Sequence, residues 1–274
     1  MADKKHGKKS PKAYENMDFI GSPDGRLIRI MAEMMEPMHR FRRERIRDSI
    51  VMFGSARTLD PQDAVKELQD AEKSGDQKKI NIAQNNIEMA EYYGQAMELA
   101  RMLTEWSIEK NYGYYICSGG GPGIMEAANR GASMVSGGRS IGLNISLPFE
   151  QYPNAYISDE LNFEFNYFFI RKFWFSYLAK AIVVFPGGFG TFDEFFEILT
   201  LIQTKKISKI VPIILFGSDF WNDIVNFEGL VKRGVISPED LDLFKVCDTA
   251  EEAYSFLVTE LERLRKLFPL YHPR

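Results

Sequence analysis

The sequence is poor in the residues that build disulfide frameworks and metal clusters. Its 274 residues include two cysteines, Cys117 and Cys247, and three histidines, His6, His39 and His272. Two cysteines cannot form a disulfide framework, and such scarcity is typical of a protein from a reducing cytoplasm. The cysteines and histidines are also too few for a zinc-type cluster. We therefore expect a cytoplasmic protein without a metal site.

Long apolar runs and an excess of one charge are missing as well. No apolar run approaches the length of a membrane span. The first twelve residues, MADKKHGKKSPK, are basic, but no apolar segment follows them, so they do not form a secretory signal. The formal net charge is −4, which gives no reason to expect nucleic acid or a membrane surface as a partner.

Apolar strand patterns alternate with amphipathic helix patterns along the chain. Strands are predicted in SIVMFGSA, YYICS, RSIGLNISLP, AIVVF, KIVPIILFG and LDLFKVC, with LNFEFNYF as a further strand or an extended loop. Single helices are predicted in FFIRKFWFSYLAK and FWNDIVNFEGLVKRG and in the closing AEEAYSFLVTELERLRKLF. This alternation predicts an α/β fold with a doubly wound parallel sheet.

The chain contains no convincing domain boundary and no internal repeat. We expect a flexible tail over residues 1–25 and one domain over residues 26–274. The domain begins with an N-terminal helical elaboration, in which Pro37 is expected to kink or split the helix. A helical insertion is predicted over about residues 60–110.

Three predicted strands end in turns of small residues: FGSAR (Phe53 to Arg57), CSGGGPG (Cys117 to Gly123) and FPGGFGT (Phe185 to Thr191). In an open parallel sheet the carboxyl ends of the strands share one edge, where ligands bind. Glycine lets backbone N–H groups approach a ligand, and the start of the next helix favours a phosphate. One such turn could be a tight connection only, but three favour a nucleotide or sugar-phosphate pocket.

The common phosphate-binding and nucleophile motifs do not fit these turns. The sequence has no G-x-x-x-x-G-K-[ST], and neither GGGPG nor GGFGT has the G-x-G-x-x-G spacing of a dinucleotide-binding turn. A G-x-S-x-G nucleophile elbow is also missing. A P-loop, a typical dehydrogenase site and a serine hydrolase are therefore disfavoured.

Charged residues near this edge allow one type of chemistry without proving it. The pattern alone favours helix-dipole compensation or capping for Glu194. Arg171 lies among aromatic residues, where a guanidinium needs an anionic partner or a pocket. A phosphate cradle, a carboxylate and an arginine together suit hydrolysis of the N-glycosidic bond of a nucleoside monophosphate, because a carboxylate stabilises the oxocarbenium-like ribose.

At this point the motifs are recognisable. PGGFGTFDE (Pro186 to Glu194) resembles the PGGxGTxxE motif of the Lonely Guy family of cytokinin riboside 5′-monophosphate phosphoribohydrolases, also described as possible lysine decarboxylases. SGGGPGIMEAANRGA resembles the family's GGGxxGxM turn, and FGSAR and the Arg171–Lys172 pair match two shorter motifs. The resemblance covers roughly Ser49 to Leu267. It implies a modified Rossmann-like fold, release of a free base and ribose 5-phosphate, no cofactor, and a homodimer or larger homo-oligomer with the pocket near an interface.

The resemblance also assigns roles by position. Arg171 and Glu194 become the catalytic pair, with Glu194 acting at the ribose and Arg171 assisting the departing base. It leaves Asp193 and Glu197 as dipole and surface charges. The substrate-binding residues it implies are Ser55, Arg57, Gly119, Gly120, Gly121, Gly123, Lys172, Gly187, Gly188, Gly190 and Thr191. Glu126 replaces a glycine of many relatives and is expected to add a carboxylate to the pocket.

Three functions stay open at this point. Hydrolysis of AMP is as consistent with the motifs as hydrolysis of a cytokinin riboside monophosphate. A non-catalytic nucleotide-binding protein, similar to molybdenum-cofactor carrier proteins, needs the glycine turns but not Glu194. A pyridoxal-phosphate lysine decarboxylase is disfavoured, because no glycine turn carries a nearby lysine in a convincing arrangement for the Schiff base.

Overall fold

The computed structural model describes residues 9–148 and 152–268. Seven parallel strands form one sheet in the order β4-β3-β2-β1-β5-β6-β7. The strands are β1 Asp48–Phe53, β2 Tyr114–Ser118, β3 Ser140–Ile145, β4 Asn162–Phe165, β5 Ala179–Val184, β6 Ile213–Phe216 and β7 Lys245–Cys247. The chain runs outward from β1 to β4 and then returns to the other side of β1, so the order reverses between β1 and β5. The predicted α/β fold with a doubly wound parallel sheet is confirmed.

Helices cover both faces of the sheet. They are α1 Met17–Gly21, α2 Arg26–Arg43, α3 Pro61–Ser74, α4 Gln77–Glu109, α5 Ile124–Ser133, α6 Phe168–Leu178, α7 Phe189–Gln203, α8 Ser218–Ile224, α9 Phe227–Lys232 and α10 Ala250–Leu267. Side chains alternate along each strand, so Ile50 and Met52 of β1 pack with α4, α5 and α10. Val51 and Phe53 pack on the other face with α2, α6 and α7. Because both faces are covered, β1 is buried along its whole length. No helix in the described part of the chain is long and apolar enough to cross a membrane.

The N-terminal segment departs from the sequence predictions in two ways. Ala13–Glu15 forms a 3₁₀ turn and α1 follows it, so this part of the predicted tail has helical structure; residues 1–8 lie outside the described residues. Of the two effects expected from Pro37, a kink or a split, the split does not occur, because α2 continues through the proline. The proline ring is buried, and packing of Met34, Met38 and Phe41 against the core stabilises α2 across it.

The predicted helical insertion is an antiparallel helical hairpin of α3 and α4. Asp60 caps the start of α3, where Pro61 occupies the first turn. Gly75 ends α3 with a left-handed backbone (φ +68°), and Asp76 immediately caps α4 by accepting hydrogen bonds from the N–H groups of Lys78 and Lys79. The local sequence therefore accounts for both ends of the turn.

The segment predicted as one helix over residues 220–234 forms two. Helix α8 ends at Ile224, and Asn226 then caps α9 by accepting a hydrogen bond from the N–H of Gly229. Because an asparagine side chain competes with the helix backbone for hydrogen bonds, Asn226 starts a new helix instead of continuing the old one.

Candidate functional site

The three turns of small residues meet at the carboxyl edge of the sheet, as the sequence predicts. Ser55, after β1, donates its N–H to the carbonyl oxygen of Pro186 (3.0 Å) and accepts a hydrogen bond from the N–H of Ile124 (3.0 Å). The backbone of one residue thus joins the turns that follow β2 and β5. This junction lies where the strand order reverses, the usual ligand position in a doubly wound sheet.

Gly123 makes this close approach possible. Its φ of +70° is a conformation that other residues rarely adopt. A Cβ atom added to it would also overlap the carbonyl oxygen of Ser55. A glycine is therefore required where the second turn contacts the first.

A cleft of about 560 Å³ opens at this edge, a size within the usual range for small-molecule sites. Eight of the predicted site residues line it: Ser55, Arg57, Gly119, Arg171, Gly188, Gly190, Thr191 and Glu194. Gly120, Gly121, Gly123 and Gly187 belong to the turns but do not line the cleft. These four glycines shape the turns whose other residues line the cleft.

Arg171 of α6 and Glu194 of α7 face each other across one side of the cleft. Nη2 of Arg171 lies 3.5 Å from Oε1 of Glu194, and the two side chains are only 13% and 7% exposed. Burial raises the pKa of the Glu194 carboxyl to about 7, although Arg171 and Lys172 oppose the rise. Burial likewise lowers the pKa of the Arg171 guanidinium, against the effect of Glu194. The carboxyl group therefore titrates near neutral pH.

The aromatic residues around Arg171 belong to its own helix. Its guanidinium lies 5.2 Å from the ring centroid of Phe168 and 5.6 Å from that of Phe175, and both rings line the cleft. These residues sit three before and four after Arg171, so they share one helix face. Nε of Arg171 is buried and has no hydrogen-bond partner among the described residues. The expectation that this arginine needs an anion and a pocket is met by Glu194 and the cleft.

Arg57 and the start of α7 also line the cleft and make it attractive to anions. The N–H of Arg57 donates to Oγ of Ser55 (3.0 Å), which holds the turn after β1 in shape. The Arg57 side chain is exposed, and no acidic group among the described residues pairs with it. Helix α7 begins beside it, with Gly188 as its N-cap, so its N-terminal dipole also favours negative charge.

Lys172, which was predicted to bind substrate, is not among the residues that line the cleft. Its Nζ lies 2.6 Å from Oε2 of Glu197, 2.9 Å from Oδ1 of Asp193 and 4.0 Å from Oε2 of Glu194. Asp193 and Glu197 are accordingly ion-pair partners that join α7 to α6, and not merely dipole or surface charges. Burial lowers the pKa of Lys172, but its hydrogen bonds to Glu197 and Asp193 outweigh that effect and raise it.

Glu126, which was expected to add a carboxylate to the pocket, lies outside the cleft lining. Its Oε1 accepts a hydrogen bond from the hydroxyl of Tyr93 on α4 (2.9 Å). Arg130 donates to the same hydroxyl and pairs with Asp60, the cap of α3 (2.6 Å). This network connects the helical hairpin to α5.

The apolar lining of the cleft was not predicted from the sequence. It comprises Phe53, Met125, Ile145, Leu147, Phe168, Phe175, Phe189 and Phe192. Most come from elements that also supply the core, so their composition does not distinguish them from core residues. The helical spacing of Phe168, Arg171 and Phe175 was the one available signal.

A second cavity, of about 340 Å³, lies near the opposite edge of the sheet and is lined by Asp48, Lys180 and Lys209 among others. Nζ of Lys209 is occupied by the carbonyl oxygens of Ser176, Tyr177 and Ala179 at the end of α6. Lys180 pairs with Asp48 (3.4 Å). No glycine turn or helix start contributes to this cavity. Across residues 9–148 and 152–268, no group of three or more histidine, cysteine or acidic side chains is placed to hold a metal ion.

Comparisons with known proteins agree with the motifs. The family model described as possible lysine decarboxylase matches residues 125–257, a narrower range than Ser49 to Leu267. Cytokinin riboside 5′-monophosphate phosphoribohydrolase LOG2 of Arabidopsis thaliana is 29% identical over 53% of this chain and 65% of its own length. The probable phosphoribohydrolase LOGL5 of Oryza sativa subsp. japonica is 27% identical over 60% of this chain and 63% of its own length. The match therefore spans less than two thirds of either relative.

A solved structure titled X-ray structure of TM1055 aligns with 77% of this chain and 99% of its own, at 20% identity and a TM-score of 0.45. The sequence relatives carry the assignment. Residues 125–257 match the possible lysine decarboxylase family, and the resemblance to the Lonely Guy phosphoribohydrolases is confirmed.

Proposed function

We propose that this protein hydrolyses the N-glycosidic bond of a nucleoside 5′-monophosphate, releasing the free base and ribose 5-phosphate. The observation that carries the proposal is the buried pair of Arg171 and Glu194 at the side of a glycine-lined cleft. The names of the sequence relatives support the same reaction class.

The phosphate of the substrate is placed at the turns and Arg57. Gly188 and Gly190 have open space where a side chain would be, so a phosphate can approach their backbone. The N-terminal dipole of α7 favours its charge, as does Arg57, which has no acidic partner among the described residues. Binding there points the ribose toward Glu194, because Gly190, Thr191 and Glu194 succeed one another along the first turns of α7.

At the ribose, Glu194 acts as a carboxylate. As the bond between C1′ and the base nitrogen breaks, its electron pair leaves with the base and positive charge develops on the ribose. A carboxylate stabilises that charge and orients a water molecule for attack on C1′. The water supplies OH to C1′ and a proton to the departing base, so atoms and charge balance. Arg171 donates hydrogen bonds to the base side as negative charge develops there.

The apolar walls suit a purine ring. Phe168, Phe175 and Phe189 present ring surfaces to the cleft, and aromatic groups stack favourably on such surfaces. We propose AMP and N6-substituted cytokinin riboside monophosphates as the substrate candidates, since both carry the phosphate, ribose and purine that the cleft accommodates.

Two other functions receive less support. A pyridoxal-phosphate decarboxylase requires a Schiff-base lysine, but none of the described lysines lines this cleft; Lys172 is held by carboxylates of α7, and Lys180 lies at the opposite edge. A purely binding protein has no use for a carboxylate buried beside Arg171, where its desolvation is unfavourable.

We also propose that the protein forms a homodimer or a larger homo-oligomer beside this cleft. Exposed aromatic side chains follow one another along α6 and α7, and the first of each helix, Phe168 and Phe189, line the cleft; the set is Phe168, Phe169, Phe173, Tyr177, Phe189 and Phe196. Phe189 is 94% exposed. Contiguous apolar surface of this type is typical of an interface, and a second copy of the chain is its proposed occupant.

The test is chromatographic detection of free base and ribose 5-phosphate after incubation with AMP or isopentenyladenosine monophosphate. The parent protein is expected to release both products, whereas Glu194→Gln is expected to lower kcat/KM by at least about 100-fold. Asp219→Asn is the control, because it removes a carboxylate from α8, a helix that contributes nothing to the cleft lining. Equal activity of Glu194→Gln and the parent would refute the catalytic role, and retained AMP binding without any release by the parent would favour the binding protein.

A further inference from the structure

Lys172 occupies a position between three carboxylates of the neighbouring helix. Its ammonium contacts Glu197 and Asp193 directly and lies 4.0 Å from Glu194. Its side chain is only 15% exposed and contributes nothing to the cleft lining. Glu194 therefore belongs to the cleft lining, whereas Lys172 lies behind it.

Arg171 and Lys172 face different oxygens of the same carboxylate. Oε1 of Glu194 is nearest to Arg171, at 3.5 Å, and Oε2 is nearest to Lys172, at 4.0 Å. Arg171 lines the cleft whereas Lys172 does not. The two adjacent residues of α6 thus hold Glu194 from the substrate side and from the protein side.

The charge balance around Glu194 depends on Lys172. Arg171 and Lys172 of α6 face it with positive charge, while Asp193 and Glu197 of its own helix face it with negative charge. Glu164 of β4 acts on Arg171, and Arg57 lines the same cleft. Without Lys172, two carboxylates would repel Glu194 and only Arg171 would oppose them at close range.

We infer that Lys172 is a positioning residue that holds the Glu194 carboxylate and stabilises its negative charge without contacting the substrate. Its effect on the reaction rests on the proposed function. Its effect on the titration of Glu194 does not, because that effect follows from the ion-pair geometry alone.

The experiment compares pH profiles of kcat/KM for the parent, Lys172→Gln and Glu197→Gln. Removing a positive charge near a carboxylate favours its protonated form, so the acid limb of Lys172→Gln should move upward by about 1 pH unit. Glu197→Gln removes a negative charge and frees Lys172 from its shortest contact, so its acid limb should move downward. Lys172→Arg, which keeps the charge, should restore the limb toward that of the parent.

Lys172→Gln and Glu197→Gln break the same ion pair but remove opposite charges. Opposite shifts of their acid limbs would therefore show an effect of charge on Glu194, and not a general loss of structure. If Lys172 only joined the helices, both variants would lose activity without opposite shifts, and that result would overturn the inference. A raised KM for AMP with an unmoved acid limb would also overturn it, because that would indicate direct substrate contact. Thermal unfolding of each variant verifies that the fold is retained.

A second measurement separates the inference from the proposed function. The carboxyl ¹³C resonance of Glu194, assigned by its disappearance in Glu194→Gln, can be titrated in the absence of substrate. Its midpoint should rise in Lys172→Gln and fall in Glu197→Gln. If the parent releases no base but these shifts occur, the proposed reaction is wrong and the inference stands; an unchanged midpoint refutes the inference whatever the activity.

Discussion

The indole nitrogen of Trp174 donates a hydrogen bond to the carbonyl oxygen of Glu33, 3.1 Å away. In a helix without proline that carbonyl would accept the N–H of the residue four positions later, but this residue is Pro37, which has none. The side chain of Glu33 accepts two further hydrogen bonds, from the N–H groups of Asn166 and Tyr167 just before α6. Helix α2 therefore holds the start and middle of α6, the helix that carries Arg171.

We expect Trp174→Phe to lower the free energy of unfolding by about 1–3 kcal/mol, because it removes apolar contacts and leaves the Glu33 carbonyl without its donor. In a Pro37→Ala background the restored N–H at position 37 can satisfy that carbonyl. The cost of Trp174→Phe should then be smaller by about 0.5–1 kcal/mol. Chemical denaturation of the four proteins of this cycle measures the difference. Equal costs in both backgrounds would mean that the hydrogen bond contributes nothing to stability.

This relationship shows which part of the fold could be predicted from sequence. The strands and most helices follow from local patterns, since alternating burial and helix-capping residues such as Asp60 and Asp76 are visible in the sequence. The donor that compensates Pro37 lies 137 residues away in the sequence, so no local pattern reveals it. The cap at Asn226 is local, because its donor is the N–H of Gly229, and it is apparent once α8 is known to end.

The candidate site divides in a similar way. Turns of small residues after strands are local, and the parallel sheet brings them together, so the shared edge was predictable. The different positions of Arg171, in the cleft lining, and Lys172, outside it, were not predictable. They depend on which face of α6 each side chain occupies relative to α7. The hydrogen bond between Glu126 and Tyr93 was not predictable either, because Tyr93 comes from the helical hairpin.

Arg57 is expected to bind the phosphate group. Arg57→Ala should weaken inhibition by ribose 5-phosphate by about 10- to 100-fold, since a charge-assisted hydrogen bond to phosphate contributes about 1.5–3 kcal/mol. Inhibition by free adenine should change little, because adenine has no phosphate. Arg233→Ala, at an exposed arginine after α9, serves as the control. Unchanged inhibition by ribose 5-phosphate in Arg57→Ala would place the phosphate elsewhere.

Gly123 and Gly137 form a matched pair for the contact between the first two turns. Both have a positive φ, but a Cβ at Gly137 meets no atom within 4 Å, whereas one at Gly123 overlaps Ser55. We expect Gly137→Ala to cost about 1 kcal/mol of unfolding free energy. Gly123→Ala should cost about 2–4 kcal/mol, because backbone must move as well. Chemical denaturation measures the loss of unfolding free energy in each variant. Equal losses for Gly123→Ala and Gly137→Ala would show that the backbone of the turns moves without an energetic cost.

The exposed aromatic surface beside the cleft is expected to hold a second copy of the chain. Phe169→Glu places a charge on that surface at a residue that is 58% exposed, so it should shift the protein toward monomer without affecting the core. Light scattering after size-exclusion chromatography gives the mass of each species. Val235→Glu, at a 65% exposed residue outside this surface, should leave the mass unchanged. A parent protein that is monomeric at all concentrations tested would rule out the proposed assembly.

The raised pKa of Glu194 makes stability depend on pH in a specific direction. In the folded protein its carboxyl titrates near pH 7, compared with 4.5 for an unperturbed glutamate. Between these values the folded state binds more protons than the unfolded state, so this group lowers stability as pH rises. Glu194→Gln removes the titration. Relative to the parent, the variant should therefore gain about 1–3 kcal/mol between pH 5 and pH 8.

The change with pH is more informative than the stability at any one pH. Loss of the ion pair with Arg171 changes the unfolding free energy of the variant by the same amount at all pH values in this range, because the arginine stays charged. Loss of the Glu194 titration instead makes the difference in unfolding free energy between variant and parent change with pH. Urea denaturation of both proteins at intervals from pH 5 to pH 8 separates the two contributions. Parallel stability curves would mean that Glu194 titrates near its ordinary pKa in the folded protein, and that its burial beside Arg171 does not prepare it to exchange protons near neutral pH.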